Sequence, residues 1–593
     1  MDASIRKLIE EKMAMPVVEG EDKRCTLKEA IARHIEPKMA LHFTAGVGAL
    51  VYELVRAFWE RQPEFTIIAP SVNLHLVALL KNRIATKVLT SFAGINYPSP
   101  RPCPVVQNAV ASGAVQLESW TMRTIPQRLL AGAFGWDFMP TNSLIGSSMA
   151  EENKDSFKVI DNPFSGEGQI GLLKALRPDI TLVHGAVADA CGNTILTYPL
   201  AGDAYGAWAA TKGVIVSVDK IVSTEFIRKH AHLVRIPAYS VLAVVEAPFG
   251  AHPIGVMQHG LPEFEPYAYF PDYDFMTMVN EATKDEAAFA RFVQEWILSV
   301  RDHDDYLSRL GNERMLYLKG KAAVDAWLPE TVAESARVDF DRAPNAIERL
   351  VLAAGRVIAE RCKAKGFKNL LAGIGLSNLA AWLAAYALKG SPQEVDLIAE
   401  IGMYGYLPRT SDPAVFSFHN MHACKMLANI ETALGFNVGG ATNRCLGILG
   451  AGMIDVHGNA NSTKISDKIY LVGSGGSNDI ASTNQESLVV MNAGRHRLVE
   501  KVPYITYPGH KVRTLVTDVG LFEKPAGRDT FTLTAYLPAD PAETEAQCME
   551  RIKENVGWKL ETAPTLKRLA LGRKEDLTLL RLFDPRGYYI GGK

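Results

Sequence analysis

No apolar run in this 593-residue chain approaches the roughly 18 residues that a spanning helix needs. A role inside a membrane is therefore not expected. No Cys-x-x-Cys pair occurs among the seven cysteines (Cys25, Cys103, Cys191, Cys362, Cys424, Cys445, Cys548), which are scattered and odd in number. That pattern favours reduced thiols over a disulfide framework. Neither sign of charge prevails: 63 Lys and Arg face 65 Asp and Glu, for a formal net charge of −2. This balance gives no sign of a nucleic-acid or anionic-membrane partner. The opening residues, MDASIRKLIEEKMAM, mix acids with bases around no apolar centre, so no export signal is expected and a cytoplasmic place is. What is present, 48% hydrophobic and 22% charged residues, suits a globular protein too long for one core and sufficient for two to four domains.

The chain is organised around residues 369–402, NLLAGIGLSNLAAWLAAYALKGSPQEVDLIAEIG. An apolar strand runs into the turn Gly373-Ile374-Gly375, and a helix opens near Ser377. A second strand, Val395 to Ala399, ends on one carboxylate, Glu400. Strand, glycine turn, helix and strand make a βαβ unit, and ligands bind beyond the carboxyl ends of such strands. The following Ile401-Gly402 lets backbone or substrate come close. Read alone, Glu400 fits a nucleophile, a general base or a strand-end cap.

Similar alternation begins earlier. Met39 to Phe43 reads as a buried strand, followed by Gly46-Val47-Gly48 and a helix; further strands are expected at 65–69, 87–92, 180–183 and 214–218. Thr283-Lys284-Asp285-Glu286 has the form of a capping box ahead of a long helix whose face carries Phe289, Phe292, Val293, Trp296, Ile297 and Val300. Periodicity lapses over 327–344, then restarts with a helix at 347–358 and strands at 445–449, 468–472 and 487–491. Both halves hold an early strand–GxG–helix and a later Asp-x-x-Gly-Asn, at Asp189–Asn193 and Asp455–Asn459. The expected fold is α/β, with two tandem homologous open-sheet domains at 1–326 and 345–593 and a 327–344 linker.

Three glycine turns are candidates for holding a phosphate or an oxyanion: Gly46-Val47-Gly48, Gly373-Ile374-Gly375 and Gly473-Ser474-Gly475-Gly476. Each also serves as a plain tight turn, and none completes a Walker or Rossmann fingerprint. The third, in VGSGGSNDIAS, has the composition best suited to an oxyanion hole. His419, His422 and Cys424 could ligate a metal, but no second cluster at zinc spacing follows. Cys191 lies in a turn without a readable base, and Arg495-His496-Arg497 with Lys501 reads as a solvated basic face or a contact for a nucleotide phosphate.

Taken together, GIGLSN, AEIG, GAGMIDVHGNAN, VGSGGSND, RHRLVEKVPYIT and FDPRGYYI in the second half resemble family I coenzyme A-transferases of the glutaconate type. FTAGVGA, TSFAGIN, HGAVADACGN and EAPFGAHPIGV carry the same resemblance in the first half. The resemblance implies an α-like half fused to a β-like half, both with the coenzyme A-transferase fold. Glu400 would be the nucleophile and the Gly476 amide an oxyanion donor. Gly94 and Asn96 would face the acyl group, and Gly373, Gly375 and Gly475 would lie against substrate or coenzyme A. Coenzyme A would be a substrate, with no permanently bound cofactor and no metal, exchanged between an acyl-CoA and a carboxylic acid in a homo-oligomeric enzyme. Ile401 stands where the best-known members have Asn or Ser, which leaves the nucleophile intact. Hydrolysis of an acyl-CoA on the same scaffold is the rival activity; a sugar-phosphate-binding regulator is disfavoured because no DNA-binding segment is present.

Overall fold

The computed structural model describes residues 2–257 and 261–591. Its first large sheet is mainly parallel: Ala40–Phe43 pairs with Phe65–Ile68 on one side and Ile180–Asp189 on the other, and Gly213–Val222 and Val241–Glu246 extend that side. The second sheet repeats this order. Asn369–Ala372 pairs in parallel with Asp396–Ala399 and with Cys445–Leu449, beyond which lie Glu486–Val490 and Val512–Val516. In each sheet the strand before the glycine turn is interior, and the next strand in sequence flanks it. The later Asp-x-x-Gly-Asn turns also match. Asp189 accepts from the Asn193 N–H at 2.8 Å and Asp455 from the Asn459 N–H at 3.0 Å, and each Asn side chain returns to the other carboxylate oxygen. Two α/β units of one topology are present in tandem.

Local chemistry explains where elements begin and end. The helix Ala346–Lys365 opens on a reciprocal cap between Asn345 and Glu348 and closes at Gly366, whose φ of 69° suits glycine. Its face packs on Leu376–Leu388, a helix apolar on nearly every side and buried between neighbours. One buried apolar cluster draws on both halves, combining Ile68, Leu89, Trp120 and Ile125 with Leu371, Ile398, Leu434 and Val489. That shared layer fixes the two sheets against each other.

Three local expectations are corrected. The cap at 283–286 is Asp285, which accepts from the Ala288 N–H at 2.7 Å, whereas Thr283 ends the preceding helix by donating to the Asn280 carbonyl. The aromatic helix is α-helical only over Glu286–Val293 and continues as π-helix over Gln294–Leu298. Of the 468–472 strand only Ile469–Tyr470 forms, in a hairpin outside the main sheet. The Gln107 side chain hydrogen-bonds both the N–H and the carbonyl of Tyr470, which also pairs with Lys464 across the hairpin. Within 327–344, Trp327–Ser335 is helical, and the remainder has no regular structure. No helix among the described residues is long and apolar enough to cross a membrane.

Candidate functional site

Glu400 follows Asp396–Ala399 directly, at the carboxyl end of a parallel strand, and remains partly exposed. The sharp return behind it needs Gly402, whose φ is 118° and whose missing side chain leaves room for the backbone at Ala428. First-half backbone braces the loop: the Ala201 N–H donates to the Ile401 carbonyl at 3.1 Å and the Leu200 N–H to the Ala428 carbonyl at 2.8 Å. Glu400 is thus set where the halves meet.

Gly476 faces the carboxylate. A Cβ at this position would fall inside contact distance of Glu400 Oε2, and hydrogen bonding from the Gly476 amide lowers the pKa of Glu400. Burial works the other way and dominates, and together with the negative charge of Asp479 it pushes the carboxyl up to about 7. Asp479 is itself pushed up to about 6 by burial. It accepts from Thr121 Oγ1 at 2.6 Å and from the Arg123 N–H at 3.0 Å, both in the first half. Arg123 in turn pairs with Glu431 of the second half at 2.8 Å.

The glycine-rich turn and the first-half segments at 91–96 and Met122, far apart in sequence, are joined by backbone hydrogen bonds. Ala93 N–H donates to Val472 carbonyl at 2.9 Å, Gly475 N–H to Ser91 carbonyl at 3.1 Å, and Met122 N–H to Gly475 carbonyl at 2.9 Å. Gly94 sits in this seam, where a Cβ would meet the Arg101 carbonyl at 2.9 Å.

Most of the candidate glycines offer space and no free donor. The N–H of Gly373 goes to Ile448, that of Gly375 to Asn378 Oδ1, that of Gly94 to Val72 and that of Gly475 to Ser91. An anion cradle of several amides, expected from the glycine turns, is therefore not formed by these residues. Gly476 differs in having its amide at Glu400.

Beside Glu400 lies a cavity of about 260 Å³. Ile401, the residue after Glu400, and Ile374 of the 373–375 turn line it, whereas Glu400 and Gly476 are not among its lining residues. Asn96 lines it as well, and its Oδ1 is buried without a hydrogen-bond partner. Of the other walls, Asp203 and Tyr273, on which Tyr97 stacks at 4.2 Å, lie in no motif singled out in the sequence. His184 of HGAVADACGN and Tyr589 of the far C-terminal FDPRGYYI lie in motifs to which no site role was assigned. The tail reaches this place because Asp584 gathers the N–H groups of Tyr588, Tyr589 and Ile590 at 2.7 to 3.0 Å. The FDPRGYYI motif was the available signal, though nothing in it indicated a destination.

Other candidates resolve differently. His419 Nε2 pairs with Glu330 at 3.1 Å, while Phe418 and Met421 of the same segment line the cavity. Burial and the neighbouring Asp189 push the Cys191 thiol up to about 11, which disfavours a thiolate nucleophile. Arg497 donates to the carbonyls of Ala451 and Gly452, which leaves Arg495, His496 and Lys501 as the exposed members of that cluster.

Residues 24–247 match the family model described as Coenzyme A transferase. The A-type subunit of glutaconate CoA-transferase from Acidaminococcus fermentans is 30% identical over 222 residues, 35% of this chain and 66% of that protein. The B-type subunit of 3-oxoadipate CoA-transferase from Pseudomonas knackmussii is 28% identical over 233 residues, 36% of this chain and 85% of that protein. One chain thus matches subunits of both types, and it spans 66% and 64% of the first two curated relatives it matches. A solved acyl-CoA transferase from E. coli O157:H7, in a thioester complex with CoA, covers 98% of this chain and 99% of its own. Its TM-score is 0.63 at 16% identity, a likeness of fold that extends through both halves.

Proposed function

Because this chain belongs to the coenzyme A transferase family, we propose that it moves coenzyme A from an acyl-CoA thioester to a free carboxylic acid through a covalent intermediate on Glu400. The carboxylate attacks the thioester carbonyl and expels the coenzyme A thiolate, leaving a mixed anhydride. The thiolate then attacks the Glu400 carbonyl and releases the first acid as a carboxylate, which leaves a γ-glutamyl thioester. The acceptor acid runs these steps in reverse, and no net proton is consumed. Covalent catalysis divides one slow exchange into easier steps. Each tetrahedral oxyanion needs a donor already in place, and the Gly476 amide is the candidate. Residues 1–326 and 345–593 act as α-like and β-like halves, the cleft between them holding the acyl group near Gly94 and Asn96.

One observation carries this reading. The carboxylate of a half-buried residue, raised by burial to about 7, rests on the amide of a glycine turn at the seam between the halves. A strand-end cap would be fully engaged with its own sheet instead. Mass analysis after incubation with an acyl-CoA is expected to find coenzyme A, less one water, on the peptide containing Glu400 and not in Glu400→Gln. Full transferase activity in that variant would falsify the assignment. Release of acid and coenzyme A at full rate without any acceptor would instead identify water as the resolving nucleophile, making the protein a hydrolase.

A further inference from the structure

The cavity beside Glu400 is walled mainly by hydrocarbon. Leu74, Ile254, Met276, Val415, Phe416 and Met421 contribute apolar side chains, and the Tyr97–Tyr273 stack, with its planes 7° apart, adds a flat aromatic surface. Among the described residues no lysine or arginine lines it. Arg235 lies outside the lining and donates to the Tyr198 hydroxyl at 2.7 Å. His184, the one lining imidazole among these residues, has both ring nitrogens in hydrogen bonds, to Ser217 Oγ at 2.8 Å and Asp219 Oδ2 at 3.1 Å. Asp203 adds a carboxyl, pushed up to about 7 by burial. A second carboxylate entering with the substrate would therefore lose its water without gaining a cation, and would face an acidic group.

From this lining we infer that the acid exchanged here is an apolar monocarboxylic acid, branched or ring-bearing, whose hydrocarbon body fills the cavity while its carboxyl group reaches Glu400. The inference rests on the transferase reading above and adds the substrate class. At about 260 Å³ the space exceeds the ~150 Å³ of an apolar cavity that accommodates benzene. Asn96, with its unpartnered Oδ1, supplies a polar contact at the wall. Two of the relatives, by contrast, are named for glutaconate and 3-oxoadipate, acids with two carboxyl groups.

The test uses the wild-type protein with 3-methylbutanoyl-CoA as donor and acetate, glutarate, 4-methylpentanoate or 3-phenylpropanoate as acceptor. The value of kcat/KM for 4-methylpentanoate is expected to exceed that for acetate on the order of 10²-fold, from the added buried carbons. Glutarate, close in length, is expected to fall below 4-methylpentanoate by at least as much. Preference for glutarate overturns the inference. So do equal values for acetate and the apolar acids, which would assign the cavity to the arm of coenzyme A. Calorimetric titration of the resting protein with 4-methylpentanoate and glutarate separates the two readings. Binding of the first and not the second, with no acid ever acquiring coenzyme A, would uphold the cavity's specificity and remove the transferase reading. Tighter binding of glutarate would remove the specificity whatever the transfer assay shows.

Discussion

A methyl group added at Gly476 would collide with Glu400 Oε2 and with nothing in its own backbone, because the residue has φ −91°, a value open to any L-residue. Gly476→Ala is therefore expected to fold normally, displace the carboxylate from its donor and lower kcat by roughly 10²–10³-fold. Thermal melts alongside steady-state kinetics check both halves of that statement. The titration of Glu400 gives a second expectation at this scale. Attack requires the carboxylate, so kcat/KM should rise with pH through about 7, the value to which burial and Asp479 push the group. Asp479, raised to about 6, titrates with it as a pair. Removing its charge in Asp479→Asn should move the acidic limb of the profile to lower pH; an unmoved limb would detach the pair from catalysis.

Stability has the opposite sign to activity. A carboxyl whose folded pKa lies above its unfolded value contributes stability in its protonated form, fully present below about 4.5 and lost as pH rises through about 7. Glu400→Gln, which keeps the neutral form at every pH, should match wild type in acid. Above pH 7 it should be more stable by up to ~3 kcal/mol, read by denaturant unfolding at both pH values.

At the scale of elements, the short helix Ser477–Thr483 ties the halves together through Asp479, which accepts from Thr121 Oγ1 and the Arg123 N–H. Asp479→Ala leaves the half-buried Arg123 N–H without its acceptor, while Thr121 Oγ1 keeps Thr124 Oγ1 as a partner at 2.8 Å. It should lower stability by roughly 1–3 kcal/mol for that orphaned donor in urea unfolding. This is also the scale at which sequence reading is uneven. Ala346–Lys365 is legible because its apolar period and caps are local. The cap at 283–286 is ambiguous because Asp285 and Thr283 compete for one role, and only the end of the preceding helix decides between them. The strand at 468–472 falls short for another reason. Its apolar residues suit a central strand, but the acceptor for the Tyr470 N–H is Gln107, a side chain 363 residues away.

For the whole molecule, the shared apolar layer and the seam from Ser91 to Gly475 hold the halves together independently of the peptide that joins them. A protease site placed in the irregular stretch at 339–342, cleaved after folding, should leave two fragments that co-elute at the mass of the intact chain and retain activity. Separation on gel filtration in low salt would show that the connection, and not the interface, maintains the assembly.

The alternation of strands and helices, the two glycine turns in matching places and the paired Asp-x-x-Gly-Asn landmarks were all written locally, so residue order alone determined an α/β fold built twice. It also singled out Glu400, as a lone carboxylate at the end of a strand. Tertiary structure decided which groups surround that carboxylate, since backbone hydrogen bonds consume most of the glycine amides that composition had offered as donors. Asp203, Tyr273, Asn96 and Tyr589 come from distant parts of the chain to line one cavity. Local pattern records the path of the backbone, whereas a site formed between two sheets depends on which faces pack together, and no local pattern carries that information.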